Sequence, residues 1–161
     1  RIINNMCSLE EQVVLKLKEN NLQVSFAESC TGGLLSGRLV NVAGVSDVFG
    51  EGYVTYSNEA KKRLLGVSEA SLKDFGAVSP QVAEEMARGA AHASGSSCAV
   101  SVTGIAGPDG GTPEKPVGLV YIGCFVMGKV KVEKKCFQGS RADVWAKSVE
   151  AALKLLLMCL P

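Results

Sequence analysis

Apolar residues change their spacing several times along the chain, and each change predicts an element. Leu9, Val13, Val14 and Leu17 recur at helical spacing behind Ser8 and Glu11, which form a capping box, and Asn20-Asn21 ends the run. Residues 22–27 predict a short strand, the polar and glycine-bearing 28–33 a turn, and 34 to about 42 a second helix. Tyr53, Val54, Thr55 and Tyr56 place a strand at 52–57, followed by Asn58 as the cap of a short helix through Leu65. Residues 66–79 read as a linker, Pro80 opens a helix to about Ala93, and 98–103 form the strongest strand. A loop without periodicity, 104–118, leads to two strands, 117–127 and 130–137, joined at Gly128-Lys129 as a Gly-X hairpin. The last helix runs from Arg141 to about Met158 and carries Val144, Val149, Ala152, Leu153 and Leu156. Alternating strands and helices predict an α/β fold, a three-layer α/β/α sandwich. The hairpin makes its sheet mixed, though mainly parallel.

Composition narrows the class. With 161 residues, 47% of them hydrophobic, and no repeat or low-complexity tract, residues 1–161 read as a single domain and not as a disordered chain. The longest apolar run, 155–160, falls far short of the roughly 20 residues that a membrane span needs. Lys+Arg 17 against Asp+Glu 16 leaves a net charge of +1, so neither nucleic acid nor a membrane is an expected partner. Six cysteines (Cys7, Cys30, Cys98, Cys124, Cys136 and Cys159) form no C-x-x-C pair. Cys98, Cys124 and Cys136 fall in apolar runs, where a thiol acts as a small hydrophobe, and the expected compartment is the reducing cytoplasm. His92 is the single histidine, which excludes zinc sites built on several histidines; it reads as a helix-face residue, and no metal is expected. The 18 glycines against nine aromatic residues point to close backbone approaches, between elements or to a ligand.

Three clusters at predicted strand ends carry candidate chemistry. Residues 28–33 put hydroxyls and backbone N–H groups at a helix start, which suits an anion or oxyanion and equally suits a plain helix cap. The stretch 44–61 holds Ser46, Asp47, Tyr56, Ser57, Asn58 and Lys61. Lys61, about one turn after a strand, is either a desolvated base able to deprotonate a serine or one charge of a solvated Lys61-Lys62-Arg63 face. Thr103 to Gly111 follows the central strand, where α/β sheets place their ligand sites, and is longer than a structural turn needs. Arg141, opening the last helix, can reach a phosphate or simply stay solvated. The residues alone thus support a small-molecule site of a hydrolytic or ligand-binding kind.

Ala27-Glu28-Ser29-Cys30-Thr31-Gly32-Gly33, Tyr56-Ser57-Asn58-Glu59-Ala60-Lys61 and Ser101 through Gly111 together resemble the CinA C-terminal domain family. Ala43-Gly44-Val45-Ser46-Asp47-Val48-Phe49, Gly76-Ala77-Val78-Ser79, Glu114 to Gly118 and Gly139-Ser140-Arg141 extend the likeness, in order, from about Ser8 to Leu157. Catalytic members of this family are nicotinamide-nucleotide amidases. The resemblance implies hydrolysis of nicotinamide mononucleotide to nicotinate mononucleotide plus ammonia, by a serine–lysine mechanism with no cofactor. It implies Lys61 as base, Tyr56 as its assistant and Ser46 as the expected nucleophile, Ser29 being the other candidate. Thr31, Gly32, Gly33, Thr103, Gly104, Gly107 and Arg141 are the expected substrate contacts, Arg141 and the Thr103–Gly111 loop on the ribosyl phosphate. Members often carry a second basic residue one turn after this arginine; here it is Trp145, so phosphate binding is expected to be weaker or supplied elsewhere. The alternative reading is a non-catalytic domain that binds a nucleotide or a protein partner. A homo-oligomer, dimer or higher, is expected, with 155–160 as interface, and so is a place within a longer two-domain chain.

Overall fold

The computed structural model describes residues 7–161. Five strands form one sheet in the order β2-β1-β3-β4-β5, with β1 at Val24–Glu28, β2 at Phe49–Val54, β3 at Cys98–Gly104, β4 at Leu119–Val126 and β5 at Lys129–Cys136. β1 pairs in parallel with both β2 and β3, whereas β3–β4 and β4–β5 are antiparallel, so the sheet is mixed. β1 is buried along its whole length and β3 over all but its last residue, which is why their sequences do not alternate. β5 alternates instead, and its lysines guard an open edge.

Helices cover both faces. On one, α1 (Leu9–Glu19), α2 (Leu34–Leu39) and α6 (Arg141–Cys159) close over Val13, Leu17, Phe26, Leu35, Leu39, Leu153 and Leu156. On the other, α3 (Asn58–Leu65), α4 (Glu69–Phe75) and α5 (Pro80–Ser94) enclose Leu65, Leu72, Val82, Met86 and Ala99. This is the expected three-layer α/β/α sandwich. Ser8, Ser57, Ser68, Ser79 and Ser140 cap five of these helices, each accepting from the amide three residues on. Such caps contribute about 1 kcal/mol apiece. α5 crosses α3 so closely that a methyl at Gly89 would overlap the Leu65 carbonyl. Part of the glycine excess therefore serves the core and not a ligand.

Several expectations need correction. The 66–79 linker contains α4, missed because Leu72 is its one buried residue and a single anchor shows no period. The cap of α3 is Ser57, with Asn58 its first residue. β2 begins at Phe49 and ends at Val54; its exposed Gly50-Glu51-Gly52 lies on the other sheet edge, where no alternation is needed. The hairpin turn is Met127-Gly128, both left-handed at φ 46° and 91°, with Val126 and Lys129 paired across it. Cys136 is exposed, while Cys98 and Cys124 are buried. In the tail proposed as an interface, Leu155, Leu156 and Leu160 are buried in the chain's own core. No helix among the described residues is long and apolar enough to cross a membrane.

Candidate active site

Because β1 lies parallel between β2 and β3, the carboxyl ends of all three strands open on one rim of the sheet. Sheet hydrogen bonding runs one residue past the strands there: Ser29 N–H donates to the Val102 carbonyl at 2.9 Å and Thr55 N–H to the Glu28 carbonyl at 2.8 Å. Ser29 and Thr55 are thus fixed side by side. The Ser57 cap starts α3 two residues later, and the fourth residue of that helix, Lys61, faces inward and is 1% exposed. Its Nζ lies 2.9 Å from Ser29 Oγ and 2.8 Å from the Thr55 carbonyl oxygen.

No carboxylate pairs with Lys61 among the described residues. Burial disfavours the ammonium and pushes the Lys61 pKa down to about 8, against some opposition from the Cys30 sulfur. Cys30 cannot supply much opposition at neutral pH. Its own thiol is pushed up to about 12, chiefly by burial, with the Glu28 carboxylate adding to the shift and Lys61 and Arg141 opposing it. A neutral Lys61 amine is therefore accessible near pH 8. The Thr55 carbonyl holds one N–H of that amine and leaves its lone pair for the Ser29 hydroxyl.

The turn after Ser29 is built on Glu28, 1% exposed. Its Oε1 accepts from Thr31 Oγ1 at 2.7 Å and Leu35 N at 2.8 Å, and its Oε2 from Ser36 N at 3.0 Å and Ser36 Oγ at 2.7 Å. All four partners are donors, so only a carboxylate can accept from every one. Gly32 and Gly33, at φ 55° and 105°, supply the left-handed bends that bring the start of α2 back to it. Glu28→Gln sets an NH2 against these donors and is expected to lower unfolding free energy by about 3 kcal/mol, as urea denaturation will read.

Ser29 and Lys61 line a cleft of about 310 Å³, together with Cys30, Tyr56, Asn58, Thr103, Gly104, Gly107, Asp109 and Arg141. That volume is at the lower end of the roughly 300–1,000 Å³ typical of small-molecule sites. The Thr103 hydroxyl donates to the Ala77 carbonyl at 2.8 Å and fixes one wall. The Ser140–Asp143 capping box sets the first turn of α6 and so aims Arg141, whose Nη1 donates to the Gly107 carbonyl at 2.7 Å. A larger cavity of about 380 Å³, lined by Cys124, Met127, Lys129 and Cys159, lies by the hairpin at the opposite end of the sheet and has no such pair of groups. No three His, Cys, Asp or Glu side chains converge as a metal site among the described residues.

The structure thus joins Ser29, Lys61, Thr103, Gly104, Gly107, Tyr56 and Arg141 in one cleft, and separates others from it. Ser46 sits in the exposed 3₁₀ turn Val45–Asp47 ahead of β2, at the start of the parallel strands, with Asp47 beside it paired to Lys18 at 3.4 Å. Lys61 is at the other rim, so the expectation of Ser46 as nucleophile is overturned by strand direction. Thr31 is turned from the cleft onto Glu28, and Gly32 and Gly33 shape the turn without lining the cleft. Tyr56 is not bonded to Lys61 or Ser29; its hydroxyl accepts from Arg141 Nη2 at 3.2 Å. Sequence reasoning missed the Thr55 carbonyl, a backbone group with no side-chain signal, and the clamping role of Glu28. A lone glutamate directly after the strand-forming run 22–27 was the available sign of the latter.

Comparison with known proteins gives one consistent result. The family described as the CinA C-terminal domain matches residues 6–160. A CinA-like protein of Kosmotoga olearia is 54% identical over 146 residues, 91% of this chain and 35% of that protein. The chain thus spans about a third of the length of the curated relatives it matches. The competence/damage inducible protein CihA of Agrobacterium tumefaciens superposes with a TM-score of 0.90 at 43% identity, covering 93% of this chain and 94% of that one. A CinA superfamily protein of Klebsiella pneumoniae gives 0.91 at 32% identity, covering 94% and 95%.

Proposed function

Since this chain belongs to the CinA C-terminal domain family, we propose that its cleft hydrolyses the carboxamide of a pyridine nucleotide, nicotinamide mononucleotide, to the carboxylate and ammonia. The observation that carries this reading is the 2.9 Å contact between Ser29 Oγ and a Lys61 amine whose pKa is depressed to about 8. An amide needs a strong nucleophile, and a serine hydroxyl becomes one only beside a base that is neutral at working pH.

Neutral Lys61 takes the Ser29 proton as Oγ bonds to the amide carbon. The Lys61 ammonium then returns that proton to the departing nitrogen, so that ammonia leaves and an ester to Ser29 remains. Water, deprotonated by the same lysine, splits the ester and restores the hydroxyl. Because Ser29 N–H is committed to Val102, the oxyanion must be met by donors other than the nucleophile's own amide. Arg141 and the loop from Thr103 to Gly111 take the ribosyl phosphate.

The base must be free of its proton, so activity rises with pH. Ammonia release from nicotinamide mononucleotide, followed from about pH 6 to about pH 9.5, is expected to climb in kcat/KM with a midpoint near 8. A profile flat across that range, or nucleotide binding without any turnover, overturns the reading.

A further inference from the structure

Arg141 is held from three sides. Its Nη1 and Nη2 donate to the Gly107 carbonyl and the Tyr56 hydroxyl, from opposite walls of the cleft mouth. The third neighbour is Trp145, one turn along α6, whose ring centroid lies 4.8 Å from the guanidinium carbon. No carboxylate forms an ion pair with Arg141 among the described residues. An exposed arginine without such restraints loses side-chain freedom each time it grips a ligand. Here the freedom is already lost, and the N–H groups not used on Gly107 and Tyr56 remain available to an oxyanion.

Trp145 itself packs against the core beneath α1, α2 and α6, yet its indole Nε1 is buried without an acceptor. A buried N–H with no acceptor is a cost, so the hydrogen-bonding end of the ring does not account for its position. What the ring offers is its face, under a cation that is otherwise unpaired.

We infer that Trp145 is a positioning residue that presents Arg141 to the phosphate of the substrate and so selects nucleotides over the corresponding nucleosides. The inference rests on the reading of Arg141 as the phosphate contact.

The test compares Trp145→Leu with Trp145→Phe, which keeps an aromatic face, in ammonia release from nicotinamide mononucleotide and from nicotinamide riboside, the same amide without phosphate. Trp145→Leu is expected to raise KM for the nucleotide about fivefold at unchanged kcat and to leave the riboside untouched, and Trp145→Phe to stay within about twofold of wild type. A general loosening of the fold would move both substrates together, and that result overturns the inference, as does an unchanged nucleotide KM in Trp145→Leu. Trp145 is the sole tryptophan of the chain, so its emission reports on the same contact. Nicotinamide mononucleotide is expected to change that emission saturably in wild type and in Ser29→Ala, and not in Arg141→Gln. If no variant releases ammonia, the amidase reading fails while calorimetry still decides this one. Nucleotide binding to Ser29→Ala weakened about fivefold by Trp145→Leu supports it, and equal affinities overturn it.

Discussion

Lys61→Met is expected to reduce kcat/KM for nicotinamide mononucleotide by about 10³-fold or more at pH 8, because it removes the base and the proton carrier together. Methionine keeps most of the lysine stem, so the packing beneath Ser29 is retained. The same substitution is expected not to lower the melting temperature at pH 7, since the wild-type protein holds a charge there with no carboxylate beside it. The pH dependence separates the two effects. The Lys61 pKa of about 8 lies below its ordinary 10.5, so between these values the unfolded chain binds the extra proton. Wild-type stability therefore gains with rising pH across that window, and Lys61→Met lacks this gain. Thermal melts at both ends of the window, alongside an ammonia assay, check both halves; activity within tenfold of wild type would remove Lys61 from the mechanism.

Ser29→Ala is expected to match Lys61→Met in its loss of activity, and Ser46→Ala to stay within about twofold of wild type. The pair discriminates sharply because both serines lie in the motifs by which the chain resembles its family. Ser46 is exposed in a turn that leads into β2, and Ser29 follows the end of β1. Activity retained in Ser29→Ala and lost in Ser46→Ala would require a different cleft altogether.

The contrast between those serines marks where sequence reading stops. The period of the apolar residues located α1, α5 and β3 within a few residues, because each carries several buried positions in register, while a cap residue and a glycine turn placed α3 and the hairpin. It could not tell which rim of the sheet a motif would occupy. Ser46 is nearer than Ser29 to Lys61 along the chain, but β2 runs between them and carries Lys61 to the far end. Motif likeness pointed to segments at both rims of the sheet; strand direction sorted them. Thr31 was legible as a polar residue at a helix start and ambiguous between ligand and cap; its hydroxyl instead donates to the buried Glu28, and Gly33 holds the cap position of α2. Trp145 was legible only as a missing charge, since a ring under a guanidinium is a spatial relation that no single-residue pattern expresses.

Cys30 sits one residue from Ser29 and shares its cleft, with a thiol held near 12 by burial. Sulfur attacks as the thiolate, which is scarce at such a value. On the proposed mechanism, an electrophile entering the site at pH 8 or above meets an activated oxygen next to a sulfur that is still protonated, the reverse of the usual order of reactivity. Covalent probes designed for this pocket should accordingly carry serine-directed warheads, and thiol-seeking groups will report on the outer surface, where Cys136 is exposed.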